Sequence, residues 1–223
     1  MYIESHLKTL VSKFKIIIIG VIIFLIQNCD YLESEYYCEL GYEKSEEGNY
    51  SKAIEYYSKA IELDSKNATA YNNRGNAKFI LDDDLAATSD YEKAIELDSM
   101  FYEAYNNLGL VKMYLYGLNG VEYYFNKSLE INNKYVEAYY NRGLLYFGKG
   151  NFEKSIKDFE KCIQLNPEDA EAFYVCGLAR IENGDEYRGK DDINNARKLG
   201  ITEIHESRIM AAVSELKLLG QKK

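Results

Sequence analysis

The chain has 223 residues, 47% of them hydrophobic, with 27 Lys and Arg against 36 Asp and Glu and a formal net charge of −9. That apolar content excludes an intrinsically disordered chain, and the acidic balance argues against a broad phosphate-binding surface, so nucleic acid is not an expected partner. One Pro, no Trp and 22 Tyr favour uninterrupted helices, and only two His leave little basis for a His-built metal or catalytic cluster.

The N-terminal segment reads as an address. Lys8, Lys13 and Lys15 precede an apolar run from Ile16 to Ile26, which is followed by Gln27, Asn28 and Cys29. A run of this length fits the core of an export signal and falls short of the roughly 18 residues that spanning needs. Asp30, Glu33, Glu35 and Glu39 come next, so the basic flank is expected to stay in the cytoplasm while the acidic body crosses. Leu25-Ile26-Gln27-Asn28-Cys29 resembles a bacterial lipoprotein box, which implies cleavage of residues 1–28 and lipidation of Cys29. Asn28 departs from that pattern, where a small residue is usual; the alternative is an uncleaved signal anchor. Either form places the body in the bacterial cell envelope, membrane-anchored and facing the extracytoplasmic side. A single acyl chain holds a protein only marginally, so stable anchoring needs multiple acylation or the intact apolar segment.

After a short tether, 29–33, the chain repeats itself. Gly41, Gly75, Gly109, Gly143 and Gly177 recur at a constant spacing of 34 residues, and with the glycine placed at position 8 the first repeat starts at Ser34. Position 4 holds Tyr37, Tyr71, Tyr105, Tyr139 and Phe173; position 24 holds Tyr57, Tyr91, Phe125, Phe159 and Ile193. Small residues fill position 20 (Ala53, Ala87, Val121, Ser155, Gly189) and position 27 (Ala60, Ala94, Ser128, Cys162, Ala196). Steps of three and four place 4 and 8 on one helical face and 20, 24 and 27 on another, so each repeat is expected to be two amphipathic helices, A then B. An aromatic ring should fill the gap that each small residue leaves. Turn residues separate A from B at Gly48-Asn49, Asp82-Asp83-Asp84, Gly117, Gly150-Asn151 and Gly184-Asp185. Between repeats, Asp64, Asp98, Asn132 and Asn166 are expected to start the next helix A, with Pro167 in its first turn.

This pattern resembles the tetratricopeptide repeat, a 34-residue helix-turn-helix unit. The resemblance covers 34–203 as five repeats, 34–67, 68–101, 102–135, 136–169 and 170–203. It departs from the family at Val121, Gly189 and Ile193, and only the fourth repeat keeps a proline. It implies an all-α, right-handed superhelical solenoid whose concave wall is lined by helix A. Residues 204–223 are expected to form a capping helix and tail, with Ile204, Ile209, Ala212, Val213, Leu216 and Leu219 covering the exposed end of the stack.

The wall positions contain Asn73, Asn107 and Asn141 in successive repeats, with Asn72, Asn76 and Asn106 beside them. A carboxamide donates and accepts, so a row of them can pair with the backbone of an extended peptide; local helix stabilisation is the competing explanation. The family's carboxylate clamp is disfavoured, since Asn72, Glu137 and Asn141 stand where it needs cations. Glu35, Glu103, Glu137 and Glu171 form an acidic rim, which favours a neutral or basic partner or simply suits helix N-termini. Tyr140, Leu144, Phe147 and Tyr174, with Leu110, Met113 and Leu178, supply an apolar wall for an extended or helical segment. The function expected is therefore a non-catalytic, membrane-tethered adaptor or assembly factor that binds another protein; the alternative is a self-associating scaffold with no open groove. No cofactor or metal is expected, and Asp82-Asp83-Asp84 reads as a polar turn. Cys162 and Cys176 could approach one another, but the small-residue column favours a buried free thiol.

Overall fold

The structure is a computed structural model that describes residues 18–19 and 29–221. Apart from Ile18 and Ile19, the apolar run 16–26 lies outside the described residues. Among those described, no helix is long and apolar enough to cross a membrane. All regular structure among them is helical. Residues 29–46 belong to α1, and ten helices follow: α2 (Tyr50–Leu63), α3 (Ala68–Ile80), α4 (Asp84–Leu97), α5 (Tyr102–Tyr116), α6 (Glu122–Ile131), α7 (Val136–Gly148), α8 (Phe152–Leu165), α9 (Ala170–Glu182), α10 (Glu186–Lys198) and α11 (Glu203–Gln221). The chain divides into two compact units between Asp82 and Asp83. The first contains α1–α3 and the second α4–α11.

Within each unit the glycine and aromatic columns meet. A methyl group on Gly41 would stand 2.6 Å from the Tyr57 ring, one on Gly109 2.8 Å from Phe125, and one on Gly143 2.6 Å from Phe159. Only hydrogen fits there, so A and B approach until the ring of B lies against the backbone of A. Tyr57, Phe125 and Phe159 are at most 1% exposed; burial of each such ring contributes roughly 2–3 kcal/mol. In the last hairpin Ile193 replaces the aromatic, and Gly177 and Gly189 let the two backbones close the remaining gap.

The turns explain where helices stop. Gly48, Gly150 and Gly184 take left-handed backbone angles, and the Asn or Asp that follows each accepts the amide of Lys52, Lys154 or Arg188 as an N-cap. Asp82 occupies the corresponding place with φ +60°, a conformation that Asp tolerates better than most side chains. The joints between repeats differ from the sequence expectation. Asp64, Asp98, Asn132 and Asn166 end the B helices, and their side chains accept the amides two residues on, at Lys66, Met100, Lys134 and Glu168. The next helix starts four residues later, capped in two cases by the residue before it, Asn67 or Asp169, which places Pro167 in the turn and outside the helix. Those four oxygens close Asx turns because their backbone is extended, and from there they reach the following turn and not the distant helix.

The third repeat is irregular for a readable reason. Tyr116 stands where the other repeats have Gly or Asp, so α5 runs through that position and the reversal moves to Gly117 and Gly120, both left-handed. Helix α6 consequently begins only at Glu122. The displaced turn drives Leu118 inward, where it is 4% exposed among Met113, Val121, Phe125 and Leu145.

Charge also crosslinks the hairpins. Arg142 on α7 forks onto Asp158 of α8 with contacts of 2.7 and 2.8 Å and reaches Asn126 of α6 at 2.7 Å. Arg180 on α9 similarly ties Asp192 of α10 and Glu160 of α8, each at 2.7 Å. All four cysteines are free thiols; Cys38, Cys162 and Cys176 are buried and Cys29 is exposed. Burial pushes the thiols of Cys162 and Cys176 up to about 12, so both stay protonated and unreactive at neutral pH.

Candidate functional site: the inner wall of the second unit

Helices α5, α7 and α9 each present one helical face to a common wall. At its N-terminal end lies an open cavity of about 390 Å³ lined by Asn106, Asn107, Leu110, Tyr140 and Asn141 together with Glu137, Asp169 and Glu171. The carboxamides are linked: Asn141 Nδ2 donates to Asn106 Oδ1 at 3.0 Å, and Asn106 Nδ2 donates to Asn107 Oδ1 at 3.2 Å. Asn106 is only 3% exposed, so it holds its two neighbours in place and does not itself face an incoming chain. The same device appears in the first unit, where buried Asn72 donates to Asn73 at 3.2 Å. Asn72 and Asn106, read from the sequence as contact residues, are thus supports for the residue after each of them. Asn73 and Asn76 line a separate cavity of about 210 Å³ in the first unit, with Tyr42, Tyr57 and Ile80.

The electrostatics of the second-unit cavity are one-sided. Three carboxylates line it and, among the described residues, no cation does. Glu171 accepts the hydroxyl of Tyr140, whose ring packs edge-on against Phe159 with centroids 5.8 Å apart. Burial, and then the Glu171 acceptor, raise the Tyr140 hydroxyl far above the ordinary phenol range, so it remains a donor. Among the described residues no group of His, Cys, Asp and Glu could hold a metal ion.

The apolar part of the wall is covered. Phe147 is 1% and Tyr174 5% exposed, and Leu144 packs against the same cluster as Phe147, Val175 and Cys176. What covers them is α11. Its Ile209 and Val213 join this cluster, and its Leu216 and Leu219 join Met113, Leu118 and Leu110. The final helix therefore packs on α7 along the inner wall, and this contact replaces the end-capping role expected of it. Lys217 pairs with Glu182 at 2.5 Å and lies 5.4 Å from the centre of the Phe147 ring. Glu206 forks onto Arg197 at 2.8 and 3.0 Å. The crossing is close: Gly220 lies against the carbonyl of Gly148, and a methyl group on Gly148 would meet Leu118 at 2.8 Å and Leu216 at 3.0 Å. Neither glycine belongs to the 34-residue column, and that mismatch is the sequence signal that would have located the crossing.

Comparison with known proteins agrees with this architecture. Family profiles described as "Tetratricopeptide repeat" match residues 68–99 and 136–169, and one described as "TPR repeat" matches residues 41–81. No curated protein matches the chain. Among solved structures, TTC0263, described as "a thermophilic TPR protein in Thermus thermophilus", is similar with TM-score 0.66 at 14% identity, over 82% of this chain and 99% of that one. MamA from Desulfovibrio magneticus RS-1 is similar with TM-score 0.65 at 18% identity, over 75% of this chain and 94% of that one. YrrB, described as "a TPR protein with an unusual peptide-binding site", gives 0.60 at 22% identity, over 78% of this chain and 90% of that one. At these identities the likeness carries the fold alone.

Proposed function

Because the chain is a tetratricopeptide-repeat protein, we propose that it is a non-catalytic adaptor whose second unit takes an extended, neutral or basic peptide segment against the open amide strip. The observation that carries this reading is the bonded relay Asn141–Asn106–Asn107 beside Glu137, Asp169 and Glu171. Oriented carboxamides match the alternating donors and acceptors of an extended backbone, and the carboxylates select against acidic side chains. YrrB, whose description names a peptide-binding site, is consistent with the same use of this fold.

Selection of a random peptide library on the detergent-solubilised full chain tests the reading. Enriched peptides are expected to carry Lys or Arg. Asn107→Ala with Asn141→Ala should weaken them about tenfold, equivalent to roughly 1.4 kcal/mol, without changing helical content. Selected peptides that bind the double variant as well as the parent would reject the strip as the site.

The adaptor is further proposed to be held at a bacterial membrane through Cys29, which is exposed and directly follows the signal-like segment. Intact-mass measurement and membrane partition of the wild type and Cys29→Ser decide this. The wild type is expected to carry acyl mass and sediment with membranes, and the variant to lose both; a wild type without added mass, fully retained by Cys29→Ser, would instead make the apolar segment the anchor.

A further inference from the structure

The apolar part of the wall lies next to the amide strip but is a separate surface, and what covers it is held lightly. Among the residues of α11 whose burial is described, only Val213 is buried; Ile209, Leu216 and Leu219 are half-buried, while Ile204, Met210 and Leu218 remain 66%, 45% and 62% exposed. By contrast, α7 and α9 each bury six residues. Of the polar contacts at the margins of α11, the pair of Lys217 with Glu182 is open to solvent and contributes little, so the fork of Arg197 onto Glu206 is the main polar tie and lies near the start of the helix. The link from α10 is residues 199–202, where Gly200 takes φ +98°. Elements with few buried contacts and solvent-exposed ties open first. Yet the seat itself is specific. Gly148 and Gly220 stand at the C-terminal ends of α7 and α11, and a methyl group on either would clash, at Gly148 with Leu118 and Leu216 and at Gly220 with the carbonyl of Gly148. Beneath α11 the wall is an apolar strip of two clusters, Leu144, Phe147 and Leu178 under Ile209 and Val213, and Leu110 and Met113 under Leu216 and Leu219.

We propose that α11 is a resident competitor for this strip, and that the strip's partner in trans is an amphipathic helix from another protein. That helix would carry apolar side chains spaced as Ile209, Val213 and Leu216 and a glycine-sized residue where Gly220 crosses Gly148. The occupant is specified by what now fills the seat: its spacing follows one helical face, and the crossing leaves no room for a larger side chain. A lysine one position after Leu216 would meet Glu182 as Lys217 does. While α11 is docked, the apparent affinity for such a helix falls by the fraction of molecules in which the strip is open. Displacement frees α11 with its exposed Ile204, Met210 and Leu218, so binding on the wall is coupled to release of the C-terminus. This assignment stands on the apolar strip alone and would survive an amide strip that binds nothing.

The test uses the full chain with Val213→Asp and Leu216→Asp, which loosen α11 and leave the wall unchanged, and a fluorescent peptide of residues 203–221 as the probe. Anisotropy is expected to show at least tenfold tighter binding to the variant than to the wild type, and a Gly220→Leu version of the peptide should lose that binding. Equal affinity for the two proteins, or no binding to a variant of unchanged helical content, overturns the proposal. Hydrogen exchange on the wild-type chain supplies a reading that needs no variant. Amides of α11 are expected to exchange at least a hundredfold faster than those of α7, and equal protection would make α11 a fixed part of the core. A wild-type dimer that the variant loses would put a second copy on the strip and reject the heterologous partner.

Discussion

Replacing Phe159 with alanine is expected to cost about 3–5 kcal/mol, among the largest effects available to a single side chain in this molecule. Phe159 is fully buried, lies against the backbone of Gly143 and supports the ring of Tyr140. Deleting it opens a cavity that rigid helices cannot close. Gly143→Ala alone should also destabilise, since its methyl group would stand 2.6 Å from a ring with nowhere to move. The informative variant combines Gly143→Ala with Phe159→Leu. If the column is a size match, the pair should cost less than the sum of its parts by about 1 kcal/mol. Urea unfolding followed by circular dichroism measures Gly143→Ala, Phe159→Leu and their pair; strict additivity would show that glycine and ring do not share one space.

Arg142→Met is expected to cost about 3 kcal/mol, at the low end for breaking a buried pair because the arginine side chain keeps 19% of its exposure. The loss comes from what remains behind: Asp158, 8% exposed at its side chain, keeps its carboxylate and loses the guanidinium fork, while Asn126 loses a donor. Adding Asp158→Leu should recover most of the loss. The pH dependence separates this account from simple loss of packing. Burial already drives the Asp158 carboxyl above its ordinary range, against the pull of Arg142, and loss of Arg142 removes the strongest downward pull and leaves only the weaker one of Lys154. A carboxyl raised in the folded state binds its proton more tightly there than in the unfolded chain. Its contribution is therefore most favourable below the ordinary carboxylate pKa and is lost as pH rises through the folded value. The deficit of Arg142→Met relative to wild type should be smallest near pH 4 and full by pH 7, and a deficit independent of pH would point to packing.

Much of the architecture is legible in the columns. Glycine at position 8 and an aromatic at position 24 specify both the hairpin and its closest contact, because each is a local size requirement repeated in every unit. The same comparison carries the charged crosslink, since Arg74 and Arg142 share one column and Asp90, Asp158 and Asp192 another. Other features are less visible. The oxygens of Asp64, Asp98, Asn132 and Asn166 are suited to capping in type, but which amide they reach depends on the backbone angles at the joint. Asn106 and Asn107 are neighbours of identical chemistry, yet one is turned between helices and the other toward the cavity, a distinction set by roughly 100° of helical rotation. The spacing of Ile209, Val213 and Leu216 marks an apolar face without saying which surface receives it. That choice is made by Leu118 and Gly148, remote in the chain and outside every repeat column.

The displaced turn after Tyr116 has a wider meaning. Each hairpin of such an array touches only its neighbours, so the lattice tolerates a phase slip inside one hairpin provided its two flanks still stack. Here a bulky residue at a reversal point moved the bend by one helical turn and turned a loop leucine into a shelf on which the C-terminal helix rests. Individuality in a periodic protein can thus arise from a local error in timing, while the regular positions on either side keep their rhythm.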